Sequence, residues 1–215
     1  MIDVDHQINA VRRAVGTRVM EAGEARTVTI SQVYDAPPDD VWDACTNPER
    51  IPRWFLPVSG DLRLGGSYQL EGNAGGTIER CDPPSSFFAT WEFGGEVSWI
   101  EVTVCAEGDG ARLQIEHIAH VDDARVAEFG PGAVGVGWDL SVMGLALHLR
   151  SGAAVDKTEA ATWMASADGV RFMTLSSDGW RDASIAAGAD EQAARAAADR
   201  TIAAYTGAPV QPDAS

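Results

Sequence analysis

The sequence predicts an α+β fold: a curved, seven-stranded antiparallel sheet around one long helix, followed by a C-terminal helical extension. Three observations lead there. The stretch Pro131–Arg150 is apolar on two sides of a helical wheel. Short β-branched and aromatic segments separated by glycine-rich turns precede it, as in an antiparallel meander. After Gly152 the composition becomes alanine-rich, as in packed helices.

The long helix is justified by its ends. Gly130-Pro131 is a start signal, because proline fits a first turn where its missing N–H costs nothing, and Gly152 supplies a stop. Val134, Trp138, Val142, Leu145 and Leu149 fall on one stripe, and Val136, Leu140 and Leu147 on a second. Asp139, Ala146 and Arg150 lie on a side face. Gly135, Gly137 and Gly144 each weaken the helix by up to about 1 kcal/mol relative to alanine, so tertiary packing has to hold it.

From the N-terminus, residues 1–25 are expected to form a helix over Asp3–Val15 and a link over Gly16–Ala25. Val4, Ile8, Val11 and Val15 share one face of that helix, which docks on the domain or meets a second copy in a homodimer. The domain proper is expected over 26–152. Arg26–Tyr34 alternates as a strand, with Val28, Ile30 and Gln32 on one side. Pro37-Pro38 ends it and opens a short helix with Val41, Trp42 and Ala44-Cys45. Asn47-Pro48 opens a second one carrying Ile51, Trp54 and Phe55, stopped by Pro57.

Six strands follow: Asp61–Leu64, Ser67–Glu71, Thr77–Cys81, Ser86–Phe93, Val97–Cys105 and Arg112–His120. Tyr68 with Leu70, then Ala89 with Trp91 and Phe93, then Leu113 with Ile115 and His117 are the sets expected to face the helix. The strand Thr77–Cys81 has no clear inner face, since Ile78 alternates in phase with Arg80 and Cys81 with Glu79. Residues 153–207 are expected to form three helices, Thr158–Ala165, Ser166–Ala187 and Asp190–Tyr205, covering the second stripe of the long helix. Residues 208–215 read as a disordered tail.

Composition narrows the function classes. The chain has 215 residues, 45% hydrophobic, with seven tryptophans, enough for a sizeable core. A net charge of −16 and a single lysine, Lys157, argue against nucleic acid. No uninterrupted apolar run of bilayer-spanning length is evident and the N-terminus lacks a signal-peptide core, so a cytoplasmic location without a membrane partner is expected. Cys45, Cys81 and Cys105 are odd in number and have no CxxC spacing, which reads as reduced thiols rather than a disulfide set or zinc site.

The order strand, two short helices, meander, long helix, together with the blocks VTISQVYDAPPDDVWDACTNPERIPRWF, LRLGGSYQLEG, GTIERCDPPSSFFATWEF and ARLQIEHIAH, resembles the helix-grip fold of the START-like (SRPBCC) superfamily. Within it the chain resembles the branch called activator of heat-shock protein 90 ATPase homologue-like, over about residues 26–150. The resemblance implies a cavity between sheet and long helix, open near the two short helices. These blocks mark fold rather than chemistry.

The residues expected around such a cavity are Trp54, Tyr68, Leu70, Trp91, Ile100, Ile115, His117, Trp138, Val142 and Leu145. His117 is the inward polar residue, able to orient a ligand or act as a general base, or simply to bond its neighbours. His120 reads as solvated, His148 as near the cavity wall, and Asp139 as structural. No Ser-His-Asp set, metal-ligand cluster, phosphate loop or cofactor motif can be assembled, and the run GPGAVGVG lacks the strand and acidic residue of a dinucleotide site. Three functions follow. A non-enzymatic binder of a small hydrophobic or aromatic molecule is preferred, because few polar groups face inward. A polyketide-cyclase or dehydratase-like enzyme using His117 and a tyrosine is the second, and a co-chaperone-like interaction module the third.

Overall fold

In the computed structural model, which describes residues 2–21, 23–120 and 128–207, a curved eight-stranded antiparallel sheet wraps one long helix. Helix α1 spans Val4–Ala10, and strands β1 (Val11–Met20) and β2 (Gly23–Tyr34) form a hairpin. Then come α2 (Pro38–Thr46), a 3-10 turn (Ile51–Arg53), and strands β3 (Val58–Gly60) and β4 (Ser67–Leu70). Strands β5 (Gly75–Asp82), β6 (Ser86–Phe93), β7 (Glu96–Glu107) and β8 (Gly110–His120) complete the sheet. The long helix α3 runs Gly132–Ser151, and α4 (Lys157–Met164), α5 (Ala167–Ala186) and α6 (Glu191–Thr206) follow. The strand order is β1-β2-β8-β7-β6-β5-β4-β3. The expected disordered tail, 208–215, lies outside the described residues.

The N-terminus departs from expectation. Helix α1 stops at Ala10, and Val11–Met20 pairs with β2 from Val11–Gln32 to Met20–Gly23, giving eight strands rather than seven. Val11 and Val15 are four apart, a spacing compatible with a helix face and with one face of a strand alike. Thr17 and the β-branched valines favour the strand, and the open edge of β2 supplies the pairing. The second departure is small: β3 is Val58–Gly60, while 61–64 turns back, with Asp61 N–H donating to the Ser67 carbonyl at 2.8 Å.

Burial follows the alternation elsewhere. Ile30, Leu113 and Ile115 are in the core, and Gln32, in phase with Ile30, is buried where it accepts from Gln7 Nε2 at 2.8 Å. Phe93 leaves the pattern: at the end of β6 it is 45% exposed. On the outer sheet face Phe88 is buried beneath the Arg80 and Arg18 guanidiniums, next to Ala25 and Ile118.

By length and composition α3 is apolar enough to cross a bilayer, yet 61% of that window is buried inside the domain, as in a core helix. Gly152, at φ +67°, closes it, its N–H donating to the His148 carbonyl at 2.7 Å. The C-terminal helices do cover its back, on a different strip from the one expected. Of the expected stripe Val136 is fully buried but Leu140 and Leu147 stay half-buried, while α5 and α6 lie over Gly132, Gly135 and Asp139. A Cβ at Gly135 would sit 2.4 Å from the Trp180 indole, so that glycine is the space Trp180 occupies. The α4–α6 helices begin where their caps direct: Asp156 accepts from Thr158 and Glu159, Ser166 from Gly169, and Asp190 from Ala193.

Asp139 carries more than the helix-dipole role expected of it. It is fully buried, and its carboxylate accepts from Arg13 Nη2 at 2.6 Å, Arg13 Nε at 3.0 Å, Ser176 Oγ at 2.7 Å and Trp180 Nε1 at 2.8 Å. Strand β1, helix α3 and helix α5 meet at this one group. Removing a single member of a buried, bidentate pair leaves the other charge desolvated and costs about 3–5 kcal/mol. Arg13→Ala is therefore expected to lower unfolding stability by that amount in urea titrations, and Ser176→Ala by about 1.5–3 kcal/mol. A loss under about 1 kcal/mol for Arg13→Ala would show that water reaches Asp139.

Candidate functional site

The site begins with α2 and the turn after it. Helix α2 opens at Pro38 and buries Val41 and Ala44, leaving Trp42, Cys45 and Thr46 toward the inside of the curved sheet. Arg50 anchors the following turn, donating to Asp40 Oδ1 at 2.6 Å and Asp43 Oδ2 at 2.9 Å. The Arg50 guanidinium bonded to Asp43 holds its carboxyl below the usual carboxylate range. The turn presents Trp54, whose Nε1 donates to the Ala44 carbonyl at 2.9 Å, and Phe55, stacked on it at 5.5 Å. A Cβ at Gly144 would come within 2.6 Å of the Trp54 carbonyl oxygen, so glycine lets this wall press directly against α3.

Between this wall, α3 and the sheet lies a cavity of about 290 Å³. Seven of the ten residues singled out from the sequence line it: Trp54, Tyr68, Leu70, Trp91, Ile100, Ile115 and Trp138. His117, Val142 and Leu145 do not. Val142 and Leu145 are buried core residues of α3, and the Val142 carbonyl accepts from Tyr34 OH at 3.2 Å. The remaining lining comes from Trp42, Cys45 and Thr46 of α2, from Ile51, Phe55, Val58 and Leu62 after it, and from Ile78, Cys81, Pro83, Phe87, Ala89 and Val102 of the sheet and its turns. The i, i+3, i+4 spacing of Trp42, Cys45 and Thr46 was the available signal for the first group. A register shift between Ile78 and Arg80 explains the ambiguous strand: the irregularity lets Ile78 and Cys81 both line the cavity while Arg80 covers Phe88.

His117 sits one layer behind. Trp138 Nε1 donates to its Nδ1 at 3.2 Å, its Nε2 is 3.0 Å from Ser98 Oγ, and that hydroxyl donates to the Trp91 carbonyl at 3.0 Å. This chain of donors assigns the His117 proton to Nε2 and holds the Trp91 and Trp138 rings, 5.2 Å apart, in place. Tyr68, the cavity tyrosine, donates its hydroxyl to the Thr90 carbonyl at 2.7 Å, and burial pushes its phenol further from ionisation. The two groups of the enzymatic reading are thus engaged in holding the walls.

Neither His148 nor His120 lines the cavity. His148 is buried against the Ala153 carbonyl at 2.8 Å and Arg50, and exposed His120 stacks edge-on against Trp99. Among the described residues no charged side chain lines the cavity, and no group of three or more His, Cys, Asp or Glu is placed to hold a metal. Cys45 and Cys81 bring two free thiols to the wall, and burial pushes the Cys45 thiol up to about 12.

Comparison with the curated proteins returned no match. Among solved structures, CalU16 from Micromonospora echinospora is 36% identical, its crystal structure covering 81% of this chain and 98% of its own with a TM-score of 0.66. Its solution structure gives 0.70, over 83% of this chain and 97% of its own. DynU16, from the dynemicin biosynthetic locus, is 20% identical over 60% of this chain and 48% of its own, with a TM-score of 0.54, a likeness of fold. The CalU16 match extends well beyond the helix-grip core. The description "Activator of Hsp90 ATPase homolog 1-like protein" matches residues 35–150, from the end of β2 to the end of α3. The chain is a member of the activator of Hsp90 ATPase homolog 1-like family, within the START-like superfamily.

Proposed function

We propose that the chain binds a small, uncharged hydrophobic or aromatic molecule in the cavity between the sheet and α3, without chemistry of its own. The observation that carries this is the lining: aromatic faces, aliphatic groups and two thiols, with no charged side chain among the described residues. An ionised guest would lose its hydration there without a partner, a cost of several kcal/mol. Thr46, Trp54, Tyr68 and Trp138 spend their donors within the protein. The Trp42 and Trp91 indoles make no hydrogen bond among the described residues and are not stranded in a dry interior. They are the donors that a carbonyl-bearing guest would meet. A volume of about 290 Å³ stands at the lower end of small-molecule sites, which suits a compact ring system.

The test uses N-phenyl-1-naphthylamine, a neutral aromatic probe that brightens on leaving water. It is expected to bind saturably, one per chain, to quench tryptophan emission, and to raise stability by about 2.7 kcal/mol at a hundred times its dissociation constant. Ala89→Trp is expected to fill the space and abolish binding while the protein stays folded. Absence of binding, with Ala89→Trp instead costing the roughly 1–3 kcal/mol of an overpacked core, would make the interior plain core.

The thiols give an independent check. At pH 8 iodoacetamide is expected to alkylate exposed Cys105 and leave Cys45 unmodified, since the thiolate is the nucleophile. An acid whose proton is held more tightly in the folded state contributes stability that is complete below its unfolded value, about 8.5. That contribution falls as pH rises toward 12. Cys45→Ala should therefore flatten the decline of the denaturation midpoint between about pH 9 and 11, as followed by circular dichroism.

A further inference from the structure

A second hollow adjoins the first. A groove of about 450 Å³ runs between the turn after α2, the middle of α3 and the short helix α4, and Trp54 and Phe55 line both spaces. Its floor is apolar, from Leu56, Leu140 and Met164 among others, but its rim is charged: Arg53 and Lys157 against one carboxylate, Glu71. The two cations are brought to the same rim by a backbone bond, Val155 N–H to the Arg53 carbonyl at 2.7 Å, which fastens the α3–α4 link to the turn.

Basic groups are scarce in this chain. It has 16 basic residues against 32 acidic ones, and Lys157 is its one lysine. Among the described residues nine arginines are ion-paired to carboxylates; Arg53 and Lys157 engage none, and neither do Arg12, Arg26, Arg150 and Arg200, but only Arg53 and Lys157 share the lining of one groove. A pair of uncommitted cations beside an apolar floor, in so acidic a protein, is complementary to an anion with an apolar body.

We infer that the groove is an outer subsite for the anionic end of an elongated amphipathic ligand, whose uncharged ring system occupies the inner cavity. The inference rests on the inner cavity being a binding site, and it names the ligand class: a hydrophobic ring or rings joined by an apolar linker to a carboxylate or a similar anion. Trp54 and Phe55 are then the wall along which the ligand passes from one space to the other. Arg53 and Lys157 discriminate an acid from its neutral derivative, a choice that the uncharged inner lining does not make.

The experiment compares 11-(dansylamino)undecanoic acid with its methyl ester, identical in ring and chain, by fluorescence titration of the full chain. The acid is expected to bind about tenfold more tightly than the ester at low salt, with the gap narrowing as salt screens it. In the double variant Arg53→Gln/Lys157→Gln, both exposed positions, acid and ester are expected to bind alike. Equal affinities in the wild type, or a gap that survives the double variant, would overturn the outer subsite while ester binding upheld the inner one. If neither compound bound, the cavity reading itself would fall, and the subsite with it.

Discussion

A carboxylate with no water around it dictates much of this architecture. Asp139 sits on the central helix with no exposure, and a buried charge is tolerable only when its oxygens are fully bonded. The four donors come from two places far apart in sequence: Arg13 on the N-terminal strand, and Ser176 with Trp180 on α5. The hairpin strand and the C-terminal helices lie on either side, in sequence, of the region matched by the family description. Both are bound to the helix-grip core at the same atom pair. Trp180 can reach Asp139 only because residue 135 has no side chain, so the carboxylate and the glycine are one device.

The inner side of the fold is organised by a different economy. Polar groups near the cavity are spent on positioning the rings that form its walls. The relay from Trp138 through His117 and Ser98 to the Trp91 carbonyl holds two indoles at a fixed separation, and Tyr68 is tethered through Thr90. Each bond removes a group that water would otherwise solvate, and the result is a space bounded by oriented aromatic faces. The charged groups gather instead beyond Trp54 and Phe55, so polarity changes sharply across one stacked pair.

Much of this was legible in the sequence, and the failures have identifiable causes. Pro131 and Gly152 bracket α3, and Asp156, Ser166 and Asp190 start the last three helices, because these signals act within one turn of chain. Strand β1 was illegible because valines four apart satisfy both periodicities, and only the partner edge of β2 decides between them. Alternation found Tyr68, Trp91 and Ile115, yet it could not find Cys81, since an irregularity in β5 breaks the phase. His117 was read correctly as inward, but its direction is set by Ser98 and Trp138, partners 19 and 21 residues away. Helical spacing groups Trp42, Cys45 and Thr46 on one face of α2, but that this face meets the cavity depends on how the next turn folds back through Arg50.

The contact between Gly144 and the Trp54 carbonyl has a consequence for how such a protein changes over generations. The helix backbone and the turn meet there with no side chain between them, so any residue larger than glycine would push the turn outward. The Trp54 and Phe55 rings would travel with it, altering the width of the inner space and the opening toward the groove together. Position 144 does not line either space. Substitution at such a hidden fulcrum would retune which guests are accepted while every residue in reach of the guest stays the same. A family sharing this scaffold could thus diversify its ligands with the recognisable lining intact, and matching pocket residues between relatives would not by itself signify a matching ligand.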